Sequence, residues 1–281
     1  MTENTKFVCP VCRTRLIKEG GSMYCTGERR HCYDIASSGY VNLLPPGKKN
    51  NRKAGDDAEM LSCRRSFLSA GYYDKISDEA AAVALRTGRK ISSFVDAGCG
   101  EGHHTVRIFK NLSENSPLGF AAGLDASKHG AAAGAKKAAV IDGNLNFAAA
   151  NIFDMPIESS SVDAIFSLFA PVPDAEAARI LTPRGLLVVC SSGSRHLWQM
   201  REVLYGEPRL SPPLDKVPLG FRLLSASSLS YEITVRGGEI KDLFTMTPFY
   251  YRSPREGRER LLSLPSLTTE ISVEYKVYEK I

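Results

Sequence analysis

Two groups of residues in this chain have the types and spacing to do chemistry. Near the N-terminus, Cys9-Pro-Val-Cys12 sets two thiols on one tight turn, and Cys25, His31 and Cys32 follow. Two thiolates from one turn and two further ligands from another suit a tetrahedral zinc ion. His31 and Cys32 both offer the fourth ligand, and spacing does not choose between them. Further along, Val95-Asp96-Ala97-Gly98-Cys99-Gly100-Glu101-Gly102 carries three glycines at alternate positions after an apolar run from Ile91. Glycine lets the backbone turn sharply and approach a ligand closely, and a helix starting just beyond adds free N–H groups. In a dinucleotide fingerprint the third glycine comes three positions after the second. That position here is His103, and the glycine falls at 102.

These residues need elements to position them. Strand patterns are expected near 92–97, 118–124, 145–150, 162–169, 185–191, 230–236 and 270–278, alternating with helical segments. Such alternation predicts a doubly wound α/β sheet, with ligands beyond the carboxyl ends of its strands. Asp125 ends the second of these strands, 27 residues after Gly98, near the spacing at which an acid meets a ribose. Asn151 and Ile152 follow the third, a position that in this fold class usually contacts an adenine. Phe169-Ala170-Pro171 ends the fourth, and an aromatic there can stack on a base. His196 follows the fifth. Leu181-Thr182-Pro183-Arg184-Gly185 reads as the turn before that fifth strand. Leu16, Ile17, Met23 and Tyr24 fit a small hairpin between the cysteine turns. Met60, Phe67 and Leu68 fit the buried side of one helix, and a second is expected over 74–87 after a turn at Gly71.

Composition sets the frame. The chain has 281 residues, 43% hydrophobic and 24% charged, ordinary for a globular protein. The N-terminal residues lack the apolar core of a leader, no stretch is long and apolar enough to span a membrane, and a cytoplasmic protein is expected. Seven cysteines without a leader argue against a disulfide framework. Residues 1–55 hold ten Lys/Arg against four acids, a net +6, whereas the remainder carries a net −1. Lys48, Lys49, Arg52 and Lys53 crowd one short segment. This asymmetry points to an anionic partner, most simply a nucleic acid. The expected organisation is a zinc-binding module over 1–44, a basic linker over 45–55 and a catalytic domain over 56–281.

The pattern G-x-G-x-G resembles the S-adenosylmethionine (SAM) loop of Rossmann-like methyltransferases. More of the chain resembles the zinc-containing guanine-N1 methyltransferases of bacterial 23S ribosomal RNA. The residues that carry the likeness are Cys9-Pro-Val-Cys12, Cys25, His31, Gly39-Tyr40-Val41-Asn42-Leu43-Leu44, Gly55-Asp56, Ala58-Glu59-Met60, Arg64-Arg65, Phe67-Leu68, Gly71 and Tyr73. The glycine loop, Ala170-Pro171, Arg195-His196-Leu197 and Met246-Thr247-Pro248-Phe249 complete it. The resemblance implies a Cys3His zinc site of Cys9, Cys12, Cys25 and His31, although the gap from Cys25 to His31 is two residues longer than the family pattern. It implies a SAM site with Tyr73 and His196 as cofactor contacts, and a homodimer that grips an RNA hairpin. With it, the cofactor set reads Tyr73, Asp96, Gly98, Gly100, Glu101, Gly102, Asp125, Asn151, Ile152 and His196. Phe169, Ala170 and Pro171 are the candidates to hold the base, and no residue is marked as the general base. Two other readings compete: a SAM enzyme acting on a small molecule, and an RNA-binding protein with an inactive methyltransferase core.

Overall fold

The computed structural model describes residues 3–45, 58–141, 144–210 and 216–281. The basic linker expected over 45–55 lies outside them except for Pro45.

Strands β1 (Glu3–Val8), β2 (Arg15–Glu19), β3 (Ser22–Cys25) and β4 (Cys32–Asp34) form an antiparallel sheet in the order β1-β2-β3-β4. The hairpin expected between the cysteine turns is β2–β3, with Leu16 opposite Cys25 and Ile17 opposite Tyr24. Leu16, Met23 and Cys25 are buried, as alternation along a half-buried strand requires. β5 (Val41–Asn42) leaves this sheet and joins the larger one.

In the remainder, α1 (Ala58–Ser69) and α2 (Asp74–Leu85) precede β6 (Ser93–Ala97), α3 (His103–Ser113), β7 (Phe120–Asp125), α4 (Lys128–Ala138) and β8 (Leu145–Ala149). Then come β9 (Val162–Leu168), α5 (Asp174–Ile180), β10 (Leu181–Ser192) and α6 (Trp198–Tyr205). The chain closes with β11 (Phe221–Arg236), α7 (Gly238–Thr245), α8 (Phe249–Arg252), α9 (Arg255–Leu262) and β12 (Ser266–Lys280). The eight-stranded sheet runs β11-β12-β10-β9-β6-β7-β8-β5. β5 to β10 are parallel, while β12 lies antiparallel between β10 and β11. Strand order reverses at β6, between β7 and β9, which puts a ligand crevice at the carboxyl ends there.

The two faces of this sheet are covered differently. One packs on Phe67, Ile76, Ile108, Met200 and Leu243 from the helices. The other packs on Phe7, Leu16, Met23, Val41 and Leu43 from the N-terminal module, together with Ala177 and Ile180 of α5. The small module therefore borrows its core from the large sheet, as a unit too short to build its own must. Phe7, fully buried, meets the Phe120 ring edge-on at 5.6 Å.

Three strands depart from the sequence expectation by more than two residues. β10 begins at Leu181 rather than 185, with an irregular register between Leu181 and Leu186. The expected turn is a distortion within the strand, and Arg184 there adopts φ +63°. Arg184 Nε lies 2.9 Å from Glu279 Oε1, and Arg222 and Arg89 close on the same buried carboxylate. β11 and β12 run 16 and 15 residues, longer than expected. Residues 222–228 of β11 are all exposed, so no alternation marks them, yet β12 pairs with them along their length.

Candidate active site and metal centre

Cys9, Cys12, Cys25 and His31 present their ligand atoms within 4.8 Å of one another. Cys12 Sγ to Cys25 Sγ is 3.7 Å, and His31 Nδ1 is 3.5 Å from both Cys9 Sγ and Cys25 Sγ. A tetrahedral zinc with Zn–S bonds of about 2.3 Å sets its sulfurs roughly 3.8 Å apart, so the four groups fit that ion. Second contacts suit thiolates: Val11 N–H reaches Cys9 Sγ, His31 N–H reaches Cys25 Sγ at 3.0 Å, and the Tyr33 hydroxyl lies 3.0 Å from Cys9 Sγ. Such outer partners orient metal ligands. Cys32, the first residue of β4, is exposed and turned to Asp34.

At the carboxyl end of β6, Gly98, Gly100 and Gly102 adopt φ of +86°, +53° and +77°, the left-handed region that favours glycine. A Cβ on Gly98 would stand 2.5 Å from the Ala170 Cβ, and one on Gly102 would stand 2.7 Å from the Phe147 ring. A Cβ on Gly100 would meet nothing within 4 Å, so that side of the turn is open. Asp125 at the end of β7 accepts from Gly100 N–H at 2.9 Å and Ser127 N–H at 2.7 Å. Asn151 and Ile152, half-buried, follow β8.

Asp96 lies beneath the loop, 1% exposed, accepting from the Thr105 hydroxyl at 2.5 Å. Burial, helped by the Asp125 charge, pushes its carboxyl up to about 7. Glu101 is also buried, with its oxygens 3.2 Å from Arg65 Nε and 3.1 Å from Lys137 Nζ. It thereby ties the loop to α1 and α4.

An aromatic cluster lies beside the Gly98–Ala170 contact. Tyr73, buried, sets its hydroxyl 3.2 Å from His196 Nε2, and His196 Nδ1 lies 2.9 Å from the Ser272 carbonyl. Phe169 stands about 6 Å from Tyr73, His196 and His104, ring centre to ring centre. It is 42% exposed and holds φ +54°, a strained conformation for a bulky residue. Its N–H is bound by the Cys190 carbonyl at 2.9 Å, and Ser167 Oγ donates toward the Ala170 and Pro171 carbonyls. Burial lowers His196 to about 4 and His104 to about 3, so both imidazoles are neutral at ordinary pH.

The structure thus brings the glycine loop, Asp125 and Ala170 into contact and joins Tyr73, His196 and Phe169 in one aromatic cluster, with Asp96 and Glu101 beneath or within the loop and Asn151 and Ile152 just after the neighbouring β8. Sequence reasoning missed three partners. Ser77 Oγ lies 2.8 Å from His104 Nδ1. Arg201, 6% exposed, is satisfied by the Ser194, His196 and Arg209 carbonyls behind the His196 loop. Arg13, next to Cys12, reaches across to Asp154 and to Met155 O at 3.1 Å. The only local signal for the last was an arginine directly after a metal turn.

Residues 7–52 match the zinc-ribbon family model described as "RlmA, N-terminal", and residues 89–209 match one described as "Methyltransferase domain". The 23S rRNA (guanine(748)-N(1))-methyltransferase of Streptomyces fradiae is 26% identical over 281 residues, covering 96% of this chain and 95% of that protein. A Micromonospora griseorubida protein assigned to the 23S rRNA (guanine-N1)-methyltransferases is 30% identical over 226 residues, covering 74% and 72%. YxjB of Bacillus subtilis strain 168, assigned to the same activity, is 27% identical over 277 residues, covering 95% of each chain.

Proposed function

This chain belongs to the zinc-ribbon 23S rRNA (guanine-N1)-methyltransferases, and we propose from that premise that it methylates N1 of a guanine in a hairpin of 23S rRNA, using SAM. The observation that carries the reading is the meeting of two loops: Gly98 of the cofactor turn packs directly on Ala170 of the acceptor turn. A methyl donor held by the first is therefore beside whatever stacks on Phe169.

Bound in this crevice, SAM supplies an electrophilic methyl group. The chain's own residues do the rest. Gly98, Gly100 and Gly102 let the backbone close on the methionine end, with Asp96 and Glu101 bracing that loop. Asp125, which accepts from Gly100 N–H and Ser127 N–H, would also accept from the ribose hydroxyls. Asn151 and the Ile152 backbone meet the adenine. Tyr73 and His196 would line the site with neutral groups, which do not repel a sulfonium as an imidazolium would. Phe169, with Ala170 and Pro171, holds a guanine lifted from its stack. N1 gives up its proton to water as it takes the methyl group, and in-line placement of N1 would supply much of the acceleration.

Cys9, Cys12, Cys25 and His31 hold zinc, which fixes the knuckle and turns. The basic N-terminal module takes RNA phosphates, with affinity falling as salt rises. The protein works in the cytoplasm as a homodimer, which gives one RNA hairpin two such modules to meet.

Methyl transfer to a 23S rRNA transcript tests the reading. An N1 methyl blocks the Watson–Crick edge, so reverse transcription stops at the modified guanine. A discrete stop that depends on protein and SAM supports the assignment. Methylation of small molecules with none on RNA would refute it.

A further inference from the structure

The N-terminal module touches the cofactor crevice at two places, and they bracket the segment assigned to adenine. On one side, β5 pairs in parallel with β8, Val41 against Ala148 and Asn42 against Ala149, and Leu43 N–H donates to Ala149 O at 2.9 Å. On the other, the metal turn and β1 grip residues 154–158. Arg13 ion-pairs with Asp154 and donates from Nη1 to Met155 O at 3.1 Å. Val8 N–H donates to Pro156 O at 2.9 Å, Phe7 bridges to Ile157, Glu158 N–H donates to Lys6 O at 3.0 Å, and Arg15 Nε pairs with Glu158 at 2.5 Å. Between the two grips lie Asn151, Ile152 and Phe153.

We propose that Arg13 is a positioning residue for SAM: through Asp154 and Met155 it lets the metal-folded knuckle set the adenine loop, so that zinc and SAM sites are coupled. This rests on the zinc and adenine assignments above. Arg13 adopts φ +59°, a conformation that costs a non-glycine residue and that the knuckle imposes through Arg13 N–H to Cys9 O at 2.9 Å. Zinc ligation by Cys9 and Cys12 fixes this turn, and the turn aims the guanidinium. The catalytic domain holds the same loop from its own side: Glu176 accepts from Met155 N–H at 2.6 Å, and Arg179 donates to Met155 O at 2.8 Å. Arg13 is therefore one of several anchors on this loop, and its loss should loosen the loop rather than release it. Coupling between sites is reciprocal, so whatever zinc does for SAM affinity, SAM must do for zinc affinity.

The test is calorimetric titration of SAM into the full chain, with zinc quantified in each sample. Arg13→Gln keeps a polar but shorter side chain and removes the ion pair. It should weaken SAM binding about tenfold, within the range typical of coupled sites, with one zinc per chain retained. Asp154→Asn should do the same, the double variant should be no worse than either single, and Arg13→Lys should recover part of the loss. Saturating SAM should slow zinc removal from the wild type by a chelator. Arg13→Gln that keeps its zinc and binds SAM within about twofold of wild type would overturn the proposal, as would fully additive losses in the double variant. A wild type that holds no zinc, or no SAM, would overturn the underlying assignment as well, which separates the two failures.

Discussion

The Tyr73 hydroxyl and His196 Nε2 lie 3.2 Å apart, and the backbone of Ser272 decides which of them donates. His196 Nδ1 is 2.9 Å from the Ser272 carbonyl and 3.3 Å from the Ser272 N–H. The shorter contact assigns the ring proton to Nδ1, so Nε2 accepts and the Tyr73 hydroxyl donates. Tyr73→Phe leaves a buried imidazole nitrogen without its donor. That loss should destabilise the fold by about 1–3 kcal/mol and weaken SAM binding, read by denaturant midpoint and calorimetry. A midpoint and affinity both equal to wild type would rule the pair out as an organising contact.

Asp125 serves two partners at once. It receives Gly100 N–H and Ser127 N–H, and the ribose is assigned to the same carboxylate. Asp125→Ala should therefore lower SAM affinity by at least about tenfold, consistent with the loss of charge-assisted hydrogen bonds. Calorimetry giving an unchanged dissociation constant would refute the ribose role.

Phe169 is a half-exposed ring held in a strained backbone. Stacking on a base contributes about 1–3 kcal/mol. Phe169→Ala should lower kcat/KM for RNA by roughly tenfold or more while SAM affinity stays unchanged, because the ring lies on the acceptor side. Phe169→Tyr should retain most of the rate. Loss of SAM affinity in Phe169→Ala would instead place the ring in the cofactor site.

Acid should weaken the fold, and the signs can be followed group by group. His196 and His104 are held at about 4 and about 3, below the ordinary 6.5, so from pH 6.5 downward the unfolded chain takes up protons that the native one refuses. Stability therefore falls between about pH 6.5 and 3. Glu279, held down to about 2 by Arg184 and Arg222, adds a second loss below about 4.5. Asp96, raised to about 7, acts oppositely, since its protonated native form gains stability as pH drops from 7 toward 4. Three groups against one predict a Tm that declines on acidification, and His104→Gln should flatten the slope between pH 6.5 and 4. A Tm that rises steadily toward pH 4 would contradict the burial of these imidazoles.

What could be read from the sequence was local. The metal turn and the glycine loop are short patterns whose chemistry depends on neighbours a few residues apart, and the crevice at the strand ends follows from alternation. Helices at 58–69 and 74–85 were legible from apolar spacing and from the turn at Gly71. What escaped was tertiary. Arg13 meets a residue 141 positions away, Ser77 meets His104 across a helix packing, and a strand exposed along residues 222–228 carries no alternation to betray it. The strain at Arg184 is visible only once Glu279 closes on it from the far end of the chain. The choice of His31 over Cys32 needed the fold, which gathers His31 with Cys9, Cys12 and Cys25 and turns Cys32 to Asp34.

The parallel pairing of Val41 and Asn42 with β8 has a consequence for anyone who would cut the protein in two. Those residues close the border of the large sheet on that side. Truncation after residue 44 would strip the backbone of Ala148 and Ala149 of its neighbour and uncover the apolar face that Phe7, Leu16 and Leu43 now shield. Bare borders of that kind recruit other chains. The shortened enzyme should therefore aggregate before it reveals anything about RNA, and the role of the module must be read from point changes in the intact protein.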